Sequence, residues 1–186
     1  MTTKPRPAHL LFFPLAATWA MLALPASVYA MQTGTPWLTG LATTVGHGHE
    51  MLFGFALAVA AGYLINRITR ARLAALAGLW LLARITYVIQ PGGIVATVTN
   101  IAFAVTVAAL AAPQFLRGAK KLRNKLFGPS LIAIAILVTA FHAVVVIALP
   151  GPTPSTLLHE GVLLFALIMF FMGGRIIAPA VAGHIQ

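Results

Sequence analysis

Two histidine–glutamate pairs are the residues of this sequence best suited to chemistry. The chain has only two acidic residues, Glu50 and Glu160, and each directly follows a histidine, in GHGHEMLFGF at 46–55 and LLHEGVLLFAL at 157–167. Imidazole binds metals and carries protons near neutral pH, and a neighbouring carboxylate orients the ring by accepting one of its N–H groups. A chain so poor in charge that keeps both carboxylates beside imidazoles is expected to use them in a site.

The composition places these residues in a membrane. The chain is 60% hydrophobic and 8% charged, which is too little charge for the surface of a soluble domain. The formal net charge is +10, but the basic residues lie in short runs between apolar stretches, which indicates membrane topology and not nucleic-acid binding. The absence of cysteine excludes thiolate ligands and a cysteine nucleophile, so a metal would be held by histidine, methionine or oxygen.

Apolar stretches long enough to cross a bilayer predict an all-α fold, a polytopic membrane helix bundle of six transmembrane helices in one domain, 1–186. One alternative for the first stretch is a cleaved signal peptide, with Lys4 and Arg6 before its apolar part and Val28-Tyr29-Ala30 as the cleavage site. The predicted spans are 9–31, 47–66, 73–90, 92–112, 129–149 and 155–178.

The distribution of basic residues predicts the orientation of the bundle. Lys and Arg precede the first span, lie between the second and third and between the fourth and fifth, and close the sixth. The alternate connections 32–46, 90–92 and 150–154 contain none. Because basic residues mark the cytoplasmic side, both termini are predicted to be cytoplasmic, and the histidine–glutamate pairs lie near the opposite face.

With about 1.5 Å of rise per residue, polar side chains from five spans fall into one layer near that face. Ionisable groups inside a bilayer usually face the bundle interior, where they pair or bind something. The glutamates and the arginine can offset one another's desolvation, which leaves the histidines as metal ligands or proton carriers. The alternative is a structural polar cluster that locks helix packing. The layer contains His49, Glu50, Arg84, Asn100, His142, His159 and Glu160.

His47 and His49 can share a metal only if the chain around them is irregular. Side chains two residues apart in an α-helix point about 200° apart. Gly46 and Gly48 would permit an irregular segment; otherwise the two histidines serve two centres.

The second and sixth spans look like copies of one helix. HEMLFGFAL at 49–57 and HEGVLLFAL at 159–167 share the initial pair and the final Phe-Ala-Leu, and both spans run inward. This indicates a duplicated helix that presents the same groups twice around a pseudo-two-fold axis. Gly54, Ala58 and Gly62 in the second span predict a face for close helix contact.

Motifs along nearly the whole chain point to a known family. They are HGHEMLFGFALAVAAGYLINRI at 47–68, LFFPLAATWAMLALP at 11–25, LWLLARI at 79–85, RNKLFGPSLIAIAILVTAFH at 123–142 and MGGRIIAP at 172–179. With these motifs the chain resembles the NnrS family of bacterial inner-membrane proteins. The resemblance implies an inner-membrane protein that contains haem and copper and is associated with nitric oxide stress. Members usually have about twice this length, which implies a homodimer or a second membrane subunit.

On this resemblance the expected function is a membrane haem protein, with haem b and with copper as a second cofactor, in electron transfer or nitric oxide turnover with an unidentified redox partner. Imidazole suits both iron and copper. The glutamates would orient imidazoles or relay protons, and Arg84 would pair with a haem propionate or a glutamate. The first two expected ligands are His49 and His159, and His142 and His47 would complete one or two centres. The expected catalytic groups are Glu50, Glu160 and Arg84.

Two other functions stay open at this point. The same cluster could form the translocation site of a metal ion or proton transporter, although the inner parts of spans two and six are almost entirely apolar. The chain could also be a structural or assembly subunit without a cofactor.

Overall fold

The structure, a computed structural model, describes residues 5–118, 122–147 and 151–183, and within these ranges it contains helices and no β-strand. The predicted all-α class is therefore confirmed for the described residues. The helices are α1 (His9–Thr33), α2 (Thr44–His49), α3 (Leu57–Leu64), α4 (Arg70–Ile89), α5 (Ile94–Gly118), α6 (Leu122–Lys125), α7 (Phe127–Ile147) and α8 (Pro154–Gly183), with a 3₁₀ turn at Thr39–Leu41 and a π-helical segment at Glu50–Ala56.

Five helices of the described chain are long and apolar enough to cross a membrane. They correspond to the predicted spans one, three, four, five and six, with ends displaced by a few residues. The predicted end of span five at residue 149, and Lys4 of the alternative signal peptide, lie outside the described residues. The five helices are His9–Thr33, Arg70–Ile89, Ile94–Arg117, Phe127–Ile147 and Pro154–Gly173.

The second predicted span differs from the expected uniform α-helix. The chain is helical from Thr44 to Leu64, but the seven residues Glu50–Ala56 in its middle form a π-helix. The Thr43 side chain caps the start by accepting a hydrogen bond from the Gly46 N–H at 3.0 Å. Together the three segments are long enough to cross a bilayer. The sixth span and the cytoplasmic location of both termini stay predictions.

The helix α1 belongs to the packed core. Its residues Phe12 and Ala16 are fully buried, and it packs along α3 and the π-helical segment. The predicted small-residue face of the second span lies against it, since a Cβ added to Gly62 would be 2.8 Å from the Phe13 ring. The first span is thus an integral part of the bundle. The helix α5 packs between α4 and α7, and α8 packs on α7 at the edge.

Close backbone contacts fix the position of α2. A Cβ added to Gly46 would be 2.0 Å from the Gly40 carbonyl oxygen, and a Cβ added to Gly40 would be 2.1 Å from the carbonyl oxygen of Tyr87 in α4. Only glycine permits these approaches. The loop before α2 is therefore held against the end of α4, and this contact sets where the following histidines lie.

We expect Gly46→Ala to destabilise the protein by about 1–3 kcal/mol, because the added methyl group meets backbone that cannot turn away as a side chain can. Gly78→Ala in α4 is the matched control, since nothing lies within 4 Å of its added Cβ. It should be neutral or slightly stabilising. Thermal unfolding in detergent measures both, and equal melting temperatures for the two variants would contradict the contact.

Candidate metal centre

Two imidazole rings from distant parts of the chain face each other in the interior. His49 ends α2 and His142 lies near the end of α7, and their Nε2 atoms are 3.3 Å apart. Both side chains are fully buried, and the two rings are perpendicular, with an interplanar angle of 88°. The structure therefore brings together two of the four histidines expected as ligands.

Glu50 holds the first ring from its other side. Its Oε1 accepts a hydrogen bond from His49 Nδ1 at 3.0 Å and one from Arg84 Nη1 at 2.7 Å. A carboxylate beside a guanidinium accepts hydrogen bonds, which favours the His49 tautomer with its proton on Nδ1 and leaves Nε2 facing His142. The expected pairing of a glutamate with Arg84 is thus observed for Glu50.

A polar network continues from Arg84 into α5. Arg84 Nη2 donates to Asn100 Oδ1, and Asn100 Nδ2 donates to the Ala96 carbonyl at 2.8 Å. Glu50, Arg84 and Asn100 are all buried. The carboxylate therefore connects the π-helical segment with α4 and α5 in an interior where an unpaired charge would be costly.

Gly54 provides the space for these head groups. A Cβ at this position would be 2.7 Å from Arg84 Nη1, 2.9 Å from Glu50 Oε2 and 2.9 Å from Trp19 Nε1. The Gly54 carbonyl in turn accepts a hydrogen bond from Trp80 Nε1 at 2.9 Å. The π-helical segment is therefore anchored at both its carboxylate and its backbone.

Aromatic rings enclose His49 and fix its orientation. Tyr87 stacks on the imidazole with ring centroids 3.6 Å apart and an interplanar angle of 6°. Phe53 and Phe141 contact the same ring, with centroid distances of 5.2 and 5.0 Å. None of the three was predicted as a site residue. The available signal was the helical spacing, since Tyr87 follows Arg84 by three residues and Phe53 follows His49 by four.

The distance between the two Nε2 atoms decides which coordination geometry fits. Two nitrogens that are each about 2.0–2.1 Å from one ion are about 3.3 Å apart at a tetrahedral angle, and about 4 Å apart on opposite sides of the ion. The observed 3.3 Å is that of an N–H···N hydrogen bond between the two rings, and it also equals the separation of neighbouring ligands of a single ion. It does not match the two faces of a haem, whose plane would also displace the enclosing rings.

Two imidazoles meet at this place. Within the described ranges, no group of three or more histidine and acidic side chains is arranged to hold a metal. Further coordination positions of an ion here would be filled by water or a small ligand, as in catalytic sites with open positions.

The other two predicted ligands lie in a separate place. Because α2 is helical, His47 projects away from His49, and it lines a cavity of about 350 Å³ together with His159, Met51 and Ser155. Among the described residues His47 Nδ1 has no hydrogen-bond partner although it is buried. The expected single layer of imidazoles is therefore divided into an inner pair (His49 and His142) and an outer pair (His47 and His159), and their roles as ligands stay predictions.

The two histidine–glutamate motifs have opposite environments. In the second span both residues are fully buried, whereas His159 and Glu160 are exposed on α8. No hydrogen bond or ion pair joins Glu160 to another residue of the described chain. The similarity of the two helices in sequence is thus not repeated in their packing.

A family model described as NnrS protein matches residues 6–185, nearly the whole chain. No curated protein and no solved structure matches the chain.

We expect Arg84→Met to destabilise the protein by about 3–5 kcal/mol, because it leaves the buried Glu50 carboxylate without its cation. The double variant Glu50→Gln/Arg84→Met should recover part of this loss, since it removes the unpaired charge. Arg72→Met, at an exposed position of the same helix, is the control and should be close to neutral. Unfolding in detergent measures all three, and a double variant no more stable than Arg84→Met would contradict the coupling.

Proposed function

The chain belongs to the NnrS family, and from this membership and the inner pair we propose that it is a membrane redox protein of nitric oxide metabolism whose metal ion is held by His49 and His142. The family is linked to nitric oxide. The observation that carries the proposal is the 3.3 Å separation of two buried Nε2 atoms, with a carboxylate on the far side of one ring.

Copper is the ion that we propose for the inner pair. Imidazole suits copper, and the chain has no cysteine that would favour a thiolate site. A copper ion would supply one-electron chemistry and an open position for a diatomic ligand. Glu50 orients the His49 ring by accepting its Nδ1–H, as carboxylates do for metal-bound histidines elsewhere. The enclosing rings of Tyr87, Phe53 and Phe141 exclude water.

Haem b, the other cofactor that the resemblance implies, is proposed for the outer pair. Its two imidazoles border a cavity of about 350 Å³, and His159 is exposed, so a large planar group can approach without displacing core rings. The buried unpartnered Nδ1 of His47 is a free donor atom at this place. Arg84 is engaged with Glu50 and Asn100 at the inner pair, so we assign it to that network and not to a haem propionate.

The proposed setting is the bacterial inner membrane, with both termini cytoplasmic and both histidine pairs towards the periplasm. The described helices support a membrane location, and the Lys and Arg distribution supports the orientation. The lipid bilayer is then the main surrounding of the chain. A homodimer or second membrane subunit and a redox partner complete the proposal.

A transporter function has less support from the packing. The Glu50 network is fully buried, and the residues that follow it in α3 are apolar, so no polar path leads inward from the cluster along this helix. A translocation pathway needs such groups or a water-filled cavity.

We expect the purified protein from copper- and haem-replete cells to contain both cofactors, with separate ligand dependence. His49→Ala and His142→Ala should each lower copper below about a tenth of the wild-type content, because one imidazole of two is lost. His47→Ala and His159→Ala should instead remove or shift the Soret band and leave copper in place. Metal analysis and optical spectra measure both cofactors.

His9→Ala is the matched control for this experiment, because His9 is an exposed histidine at the start of α1. It should change neither cofactor. Unchanged copper in both inner-pair variants would refute the copper site, and unchanged Soret bands in both outer-pair variants would refute the haem site.

A further inference from the structure

The helix α8 lies at the edge of the bundle with one face uncovered. Its inward residues Leu158, Gly161, Phe165 and Ile168 are buried against α7 and the second span. The opposite face is exposed along the membrane-crossing part of the helix and includes His159 and Glu160. Apolar residues there suit lipid, but the imidazole and the carboxylate do not.

Glu160 needs a partner that the described chain does not supply. It lies six residues after Pro154, so about 9 Å along the helix from its start. Ionisable groups at such depth are rare and pair with one another or with other polar groups. Glu50, in the same local sequence, shows how the requirement is met when helices pack against the motif, since its carboxylate contacts His49 and Arg84.

The exposed face of α8 carries the spacing of a helix–helix seam. Residues 156, 160, 163, 167 and 170 follow one another at alternating intervals of four and three, the heptad pattern of left-handed helix pairs. The apolar members are exposed, Leu163 at 65%, Leu167 at 40% and Phe170 at 76%. Glu160 is the only charged residue in the row.

We propose that a second copy of this chain covers the face, with the two α8 helices parallel around a two-fold axis. In a parallel heptad pair, a side chain at position 160 enters a hole formed by residues 156, 159, 160 and 163 of the other helix. Each Glu160 therefore meets both His159 and Glu160 of the second copy, and the symmetry repeats the contact, so the two imidazoles lie beside the two facing carboxyl groups. The motif is self-complementary across the axis, which is why the second copy and not lipid is the occupant.

The pairing gives the outer pair the same support that the inner pair has within one chain. Glu160 of one copy would hold one ring nitrogen of His159 of the other, as Glu50 holds Nδ1 of His49. The other ring nitrogen stays available to the cavity that His47 also lines. This proposal rests on one part of the proposed function, the location of the chain in a membrane. The dimer can form whether or not either cofactor is bound.

Cysteine crosslinking in native membranes tests the seam, because the chain has no cysteine of its own. Leu163→Cys and Phe170→Cys should form disulfide-linked dimers on mild oxidation. Met169→Cys is the matched control, since Met169 is 69% exposed but points about 100° away from Phe170 on the helix. Equal crosslinking at all three positions, or none at the two seam positions, overturns the proposal.

Exchange of the paired residues tests the contact itself. Glu160→Ala and His159→Ala should each weaken the dimer at least tenfold, as measured by its dissociation constant in detergent. The exchanged variant His159→Glu/Glu160→His restores the opposite partners and should recover most of the affinity. Failure of the exchange with intact seam crosslinks overturns the His159–Glu160 pairing. Copper measured in the same samples reports the inner pair, so loss of the dimer and loss of the metal centre are distinguished.

Discussion

The packing of the bundle depends on the interactions of the buried Glu50 carboxyl group. This group is fully buried, and Arg84 and the His49 ring lie at hydrogen-bond distance from it. Arg84 in turn needs Asn100, whose amide is satisfied by the α5 backbone. Because each group would be costly if left alone, these contacts favour the observed register of the second span, α4 and α5. Asn100 is therefore as much a part of these contacts as the charged residues.

The π-helical segment follows from the same requirement. Such segments are rare and frequently lie at functional sites. Here its first residue is Glu50, its Gly54 leaves room for the guanidinium, and Trp80 satisfies the Gly54 carbonyl. A chain that only needed to cross the membrane would have no reason to depart from the α-helix at this position.

The meeting of His49, Glu50, Arg84 and His142 could be predicted from the sequence because it follows from depth and pairing. Few ionisable groups exist in the chain, they lie at one level of the membrane, and each needs a partner. The helical class and most span positions follow from apolar length alone. By contrast, the division of the histidines depends on the rotation of each helix about its axis. His159 lies at the same predicted depth as His142, yet α8 turns it outward, and depth carries no information on rotation.

The aromatic shell could not be predicted for a related reason. Phenylalanine and tyrosine in an apolar helix have no partner requirement that would single them out, and their contact with His49 depends on packing. Their effect is nevertheless chemical. By stacking on and surrounding one ring they hold His49 Nε2 at 3.3 Å from His142 Nε2. Charge pairing brings the helices together, and aromatic packing then fixes how the two imidazole rings meet.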